Sequence, residues 1–294
     1  MSLHRAGQVG SVATTLRRAS MRDITEKHMP LVENATIRKL RAGGLALGFG
    51  VHHLRTAAAG MIAAATGHDW LFIDLEHGAF SQDDVAQICI AALPTGITPI
   101  VRICAGAIDE GTRALDNGAA GVIVPHVDTV DQARRIASAF RYPPLGSRSW
   151  GGPSALFGYK TPGAAEAQAA INPEILVVTM IESPEGVANA AGIAGVDGID
   201  GLLIGTSDLT AEMGISGQIL DPRVEEAYRS VGAACRKAGK FLGMGGVYEP
   251  DAMTHYADLG AQFILTGSDH AYMLAGASLK SASLRKLEAD RKAG

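Results

Sequence analysis

Eight short apolar runs, separated by helical stretches, limit what this chain can fold into more than any other feature. They are LALGFGV (45–51), WLFIDLE (70–76), TPIVRI (98–103), GVIVPHV (121–127), ILVVTMIE (175–182), GLLIGTS (201–207), FLGMGGV (241–247) and AQFILTGS (261–268). None shows the alternation of a sheet with one wet face, so each reads as a strand buried on both sides, the habit of parallel sheets. The segments between them carry helix signals. SQDDVAQICIAAL opens on Ser81, a good N-cap, and DPRVEEAYRSVGAACRKAGK closes on Gly239, a good terminator. Strand and helix alternating eight times predicts an α/β fold, a (β/α)8 TIM barrel. An open doubly wound sheet would show a GxGxxG turn after its first strand, where this chain has FGVHHLRTAAAG instead.

The 294 residues suit one barrel of about 250 residues with a little to spare. The expected organisation is a polar arm over residues 1–30 followed by a single barrel over 31–294 that ends in a helix. Residues 1–22 hold Arg5, Arg17, Arg18 and Arg22 but no Asp or Glu. That is the composition of a plain polar arm or of a mitochondrial transit peptide. The expected location is cytoplasmic, or mitochondrial if the arm is such a peptide. A net charge of -4 and the lack of a basic stripe argue against nucleic acid as a partner. No stretch approaches the roughly 20 apolar residues of a membrane span. Cys89, Cys104 and Cys235 are odd in number and lack CxxC spacing, so they read as structural thiols in a reducing compartment.

In a barrel of this kind catalytic groups gather at the carboxyl ends of the strands. The polar residues there are Asp74, Glu76 and His77 on strand two, Arg102 on strand three, His126 on strand four and Glu182 on strand five. Ser207 and Asp208 follow strand six, and Asp269 and His270 follow strand eight. Glu182 and Asp208, on adjacent strands, suit a hard divalent cation completed by water or substrate. Helix capping is the alternative role, especially for Asp208 ahead of LTAEMG. A long connection containing YPPLGSRSWGGPSALFGY (142–159) breaks the regular pattern, and Arg148 and Trp150 in it offer a cation and a flat apolar surface for an incoming substrate. Strand ends are poor in lysine, which disfavours Schiff-base chemistry.

Taken in order, DWLFIDLEHG, PIVRI, LDNGAAGVIVPHVDTVDQAR, RYPPLGSRSWG, MIESPEG and GIDGLLIGTSDLTAEMG resemble the HpcH/HpaI family of class II pyruvate aldolases, over about residues 36–275. The resemblance implies reversible cleavage of a 4-hydroxy-2-oxo acid to pyruvate and an aldehyde, through an enolate held on Mg2+, Mn2+ or Co2+. It places the metal on Glu182 and Asp208 and the pyruvate carboxylate at the turn Gly205, Thr206, Ser207 and Asp208. It gives Arg102 the enolate oxygen, and His77 the acid/base role with Asp116 orienting it. Asp74, Glu76 and Met180 would stand behind these groups. Met180 departs from the family's usual Gln, which removes a hydrogen-bond donor. The resemblance further implies a homo-oligomer, hexamer or trimer, with no membrane partner. Two other readings are compatible with the carboxylate pair: an acyl-CoA lyase of the citrate lyase β or malyl-CoA lyase type, and a non-catalytic barrel that binds pyruvate or metal.

Overall fold

The computed structural model describes residues 31–160 and 163–293. The polar arm expected over residues 1–30 lies outside them. All eight expected strands form: β1 (Ala46–Val51), β2 (Trp70–Asp74), β3 (Thr98–Arg102), β4 (Gly121–Val124), β5 (Leu176–Ile181), β6 (Gly201–Gly205), β7 (Phe241–Gly245) and β8 (Phe263–Ser268). They close into a barrel in chain order, each pair parallel, with β8 returning to β1. This is the (β/α)8 architecture.

The helices are α1 (Ala35–Arg41) before β1, then α2 (Ala59–Ala65), α3 (Gln82–Ala92) and α4 (Ile108–Asp116) in the first three crossovers. The fourth holds α5 (Val130–Phe140), the long connection and α6 (Ala164–Ile171); the fifth holds α7 (Pro184–Ala194). The sixth holds α8 (Thr206–Glu212) and α9 (Pro222–Ala238), the seventh α10 (Pro250–Asp258), and α11 (Asp269–Ala293) follows β8. Ser81 caps α3 in a reciprocal capping box with Asp84, and Gly239 ends α9 at φ +66°, as their residue types require.

Alternate strand residues fill the barrel. Trp70 and Phe72 from β2, Val178 and Met180 from β5, and Phe263 and Leu265 from β8 belong to one buried cluster. Trp70 stacks on Phe263 with ring centroids 3.9 Å apart, and its indole N–H donates to the Ala46 carbonyl at 3.1 Å. Gly48 is glycine because a Cβ there would strike the Trp70 ring. The helix α1 stoppers the amino end: Ile37 and Leu40 join the central cluster, and the Asn34 amide, besides capping α1, donates to the carbonyls of Ala120 and Glu174 at 3.0 Å each. With that end plugged, open space is left at the carboxyl ends of the strands. Among the described residues no helix is long and apolar enough to cross a membrane.

Trp70 is fully buried, so Trp70→Ala is expected to lower unfolding free energy by about 3–5 kcal/mol through lost burial and the cavity left behind. A urea or guanidinium titration of native and variant protein measures it.

Candidate active site

The chain leaves β2 through a turn that Asp74 itself makes. Its Oδ1 accepts the backbone N–H groups of Glu76 (3.1 Å) and His77 (3.4 Å), so Glu76 and His77 fall in the turn rather than in the strand. The register of β2 on β3 sets Asp74 opposite Arg102. Arg102 donates from Nε to Asp74 Oδ1 at 2.8 Å and from Nη2 to Oδ2 at 2.7 Å, a two-pronged bond between buried groups. Nη1 lies 3.0 Å from Glu76 Oε2, and the guanidinium sits over the Phe72 ring. Burial pushes the Asp74 carboxyl upward, but the Arg102 guanidinium outweighs it and holds Asp74 below the usual carboxylate range. Burial likewise opposes charge on Arg102, and Asp74, Glu76 and Glu182 overcome it. The role of Asp74 is therefore to fix and charge the fork of Arg102.

Across the barrel mouth, Glu182 follows β5 and is 2% exposed. Its Oε2 accepts the His126 backbone N–H at 2.8 Å, while Oε1 is buried without a hydrogen-bond partner. Gly205 leaves the room it occupies, since a Cβ there would collide with this carboxylate. Burial, helped by the negative charge of Asp208, pushes the Glu182 carboxyl up to about 7, against the opposing pull of His126 and Arg102. Asp208 is exposed in the first turn of α8, three residues past the N-cap Gly205. It makes no side-chain hydrogen bond among the described residues, so capping is not its role.

Two carboxylates and an unsatisfied buried oxygen suit a divalent cation that takes its other ligands from water or substrate. No complete group of three protein ligands occurs among the described residues. The two carboxylates line one cavity of about 250 Å³ with His77, Arg102, Met180 and Ser207. Gly205 and Thr206 also line it; the Thr206 hydroxyl is engaged with Tyr228 Oη at 2.8 Å, which leaves its backbone to the cavity. Met180 makes an apolar wall and is 4% exposed.

Three expected site residues stand elsewhere within this chain. Asp116 sits at the end of α4 and accepts from Arg148 Nη2 at 2.6 Å, so the structure does not bring it to His77. Arg148 is engaged through Nη2 by that bond and stacks over Tyr142, with its side chain 1% exposed, while its Nε and Nη1 are buried without a hydrogen-bond partner. Trp150 packs edge-on against Tyr142 and Phe157. None of the three lines the cavity. His77 itself is exposed, and its ring makes no hydrogen bond among the described residues.

The structure adds His126 and Tyr248 to the site and puts His52 in the cavity wall. His126 holds a left-handed backbone at φ +53°, which turns its N–H toward Glu182 and brings Nδ1 to 3.4 Å from Oε2. Tyr248 and His52 complete the cavity wall. The pair Gly245–Gly246 was the available signal for Tyr248: Gly246, at φ +78°, lets β7 end against the backbone of Ser207.

Without a cation, the raised Glu182 carboxyl destabilises the fold only while ionised. Its cost is absent below about 4.5, grows as pH rises, and is complete above about 7. Glu182→Gln is therefore expected to raise the Tm of chelated protein at about pH 8 and to leave it unchanged near pH 4, where both forms are neutral. Mn2+ at the higher pH should raise the native Tm and not that of the variant, as thermal scans will show.

The HpcH/HpaI aldolase/citrate lyase family profile matches residues 52–275. The chain is 34% identical over 269 residues to a 4-hydroxy-4-methyl-2-oxoglutarate aldolase of Hapsidospora irregularis, covering 90% of this chain and 99% of that one. It is 34% identical over 214 residues to the hydroxypyruvate/pyruvate aldolase of Delftia acidovorans, covering 73% and 79%. The crystal structure of an HpcH/HpaI aldolase from Desulfitobacterium hafniense superposes with a TM-score of 0.80 at 29% identity, covering 84% of this chain and 95% of that one. With the profile spanning most of the barrel and the paired carboxylates and buried arginine at its mouth, the chain belongs to the HpcH/HpaI aldolase/citrate lyase family.

Proposed function

We propose that this protein is a divalent-metal-dependent aldolase that reversibly cleaves a 4-hydroxy-2-oxo acid to pyruvate and an aldehyde or ketone. The observation that carries the reading is the buried, unpartnered Oε1 of Glu182 in the same cavity as Asp208 and Arg102. Glu182 and Asp208 would hold the cation, Mg2+ or Mn2+, as hard oxygen donors. When bound, it supplies the Lewis acid that accepts the electron pair released when the carbon–carbon bond breaks.

The chain's own groups do the rest. The backbone N–H groups that open α8, at Ser207 and Asp208, suit the pyruvate carboxylate, since the first turn of a helix leaves them without partners. Arg102 reaches the cavity with a fork already fixed by Asp74, so its remaining N–H groups can meet developing charge on the keto oxygen without reorganising. His77, on the exposed rim, takes the hydroxyl proton. Met180 keeps one wall dry. The second product leaves through the open mouth.

A homo-oligomer is part of this reading. In α11 only Asp269 is buried, while Leu274, Leu279 and Leu284 are each more than 60% exposed. Beside its start, a largely apolar cavity of about 440 Å³ is lined by Phe49, Ile62, Tyr272 and Met273. Exposed apolar surface of this kind favours association. The free thiols Cys89, Cys104 and Cys235 fit a reducing compartment, cytoplasmic or mitochondrial.

Release of pyruvate from 4-hydroxy-4-methyl-2-oxoglutarate and from shorter 4-hydroxy-2-oxo acids, coupled to lactate dehydrogenase, tests the activity. Chelation should abolish it and Mg2+ or Mn2+ restore it. Glu182→Gln, Asp208→Asn and Arg102→Lys should each lower kcat by about 100-fold or more, as expected when a preorganised charge-stabilising group is lost. Turnover that survives complete chelation would overturn the metal assignment.

A further inference from the structure

We propose that His52 is a second proton-handling residue of this cavity, serving the methyl carbon of pyruvate while His77 serves the hydroxyl of the bond being cleaved. The inference rests on the aldolase reading and extends it. His52 follows β1 and lines the cavity with Arg102 and Glu182. Its Nε2 is buried, 3.2 Å from Asp74 Oδ2, the same oxygen that accepts from Arg102 Nη2. Nδ1 makes no hydrogen bond to protein among the described residues, which leaves it for a substrate. An imidazole with a carboxylate close to one nitrogen, here in contact without hydrogen-bond geometry, and with its second nitrogen free can take up a proton and hand it on. Among the described residues the His52 ring lies beside such a carboxylate and the His77 ring does not.

The backbone around His52 is built to hold it. Asp269 Oδ2 accepts the N–H groups of His52, His53 and Leu54 at 3.1, 2.8 and 2.6 Å, pinning the turn after β1. A purely structural role is a poor account of the side chain. Asp74 is already satisfied by Arg102 and two backbone N–H groups, and the 3.2 Å contact from His52 is off-line for a hydrogen bond. The groups facing the ring are Asp74 from β2, Arg102 from β3, and Asp269 and His270 from the start of α11, with His53 beside it. Burial keeps the imidazole neutral by lowering it below 6.5, while Asp74 and Asp269 stabilise the cation once a proton arrives. That is the state of a base at rest.

Placement separates the two histidines. His52 shares Asp74 with Arg102, which meets the keto oxygen, so it neighbours the pyruvate half; His77 is on the exposed rim, where the second product departs. In cleavage, the C3–C4 bond breaks and its electron pair stays with the pyruvate half. The hydroxyl proton passes to His77, while His52, neutral at rest, takes a proton from solvent and delivers it to C3. His77 then returns its proton to solvent, so no proton is gained or lost overall. In reverse, neutral His52 takes a methyl proton.

The methyl step can be read without any aldehyde. Pyruvate in D2O with Mg2+ and the full-length protein should lose its methyl ¹H NMR signal by exchange. His52→Ala and His52→Gln should both slow that exchange by about 100-fold or more, the usual loss when an acid/base group is removed. Gln keeps an N–H near the position of Nε2 but has no atom that accepts a proton at this pH, so it rescues a positioning role and not a proton-carrying one. Exchange in His52→Gln within about threefold of native, or exchange retained by both variants while pyruvate release falls, would overturn the proposal, a 100-fold effect being the least expected. Unchanged Tm in His52→Gln confirms that the protein is intact. Absence of exchange in the native protein would instead overturn the aldolase reading, and this proposal with it.

Discussion

The bond between Asp74 and Arg102 organises the whole barrel mouth. A guanidinium and a carboxylate taken out of water cost several kcal/mol each, and only a near-ideal geometry offsets that. Here parallel pairing of β2 and β3 sets the two residues side by side, and both prongs of the fork are satisfied. The same carboxylate turns the chain at Glu76 and His77 and lies against His52. One buried anion thus sets the orientation of an arginine and the turn that carries His77, and it lies beside the His52 ring.

The opposite side of the mouth is built the other way. Glu182 is as buried as Asp74, yet one of its oxygens has no partner and its proton is held up to about 7. Of two buried carboxylates, one is satisfied by a protein cation and the other keeps an oxygen without a partner. Arg102 and Glu182 thus bring a fixed positive group and a carboxylate with a free oxygen to one small cavity.

Much of this was legible in the chain. Unbroken apolar runs such as ILVVTMIE announce doubly buried strands, and their eight-fold recurrence with capped helices between them is nearly sufficient for a closed parallel barrel. Strand ends are then the only places where Glu182, Asp208, Arg102 and His77 can converge, and these four do line one cavity. The reading ran out where a residue's partner depends on packing between distant segments. Asp116 and Arg148 each looked available for the site, but a bond across 32 positions of sequence joins them to each other. His52 could be read either as lining the mouth or as an exposed loop residue, because nothing in VHHLR reveals that Asp269, more than 200 positions away, pins its backbone.

What the sequence by itself determined is the period of the elements, the barrel they close into and the set of charged side chains that emerge at its mouth, since these follow from local hydrophobic pattern and from strand direction. Only the tertiary structure decided which of those charges neutralise one another. Ion pairing depends on separations of a few ångströms between groups brought together by strand register and by the folding of the long connection, and a linear pattern carries no such distances. Arg102 bound to Asp74, Arg148 bound to Asp116 and Glu182 left with an empty oxygen are three outcomes of that single step.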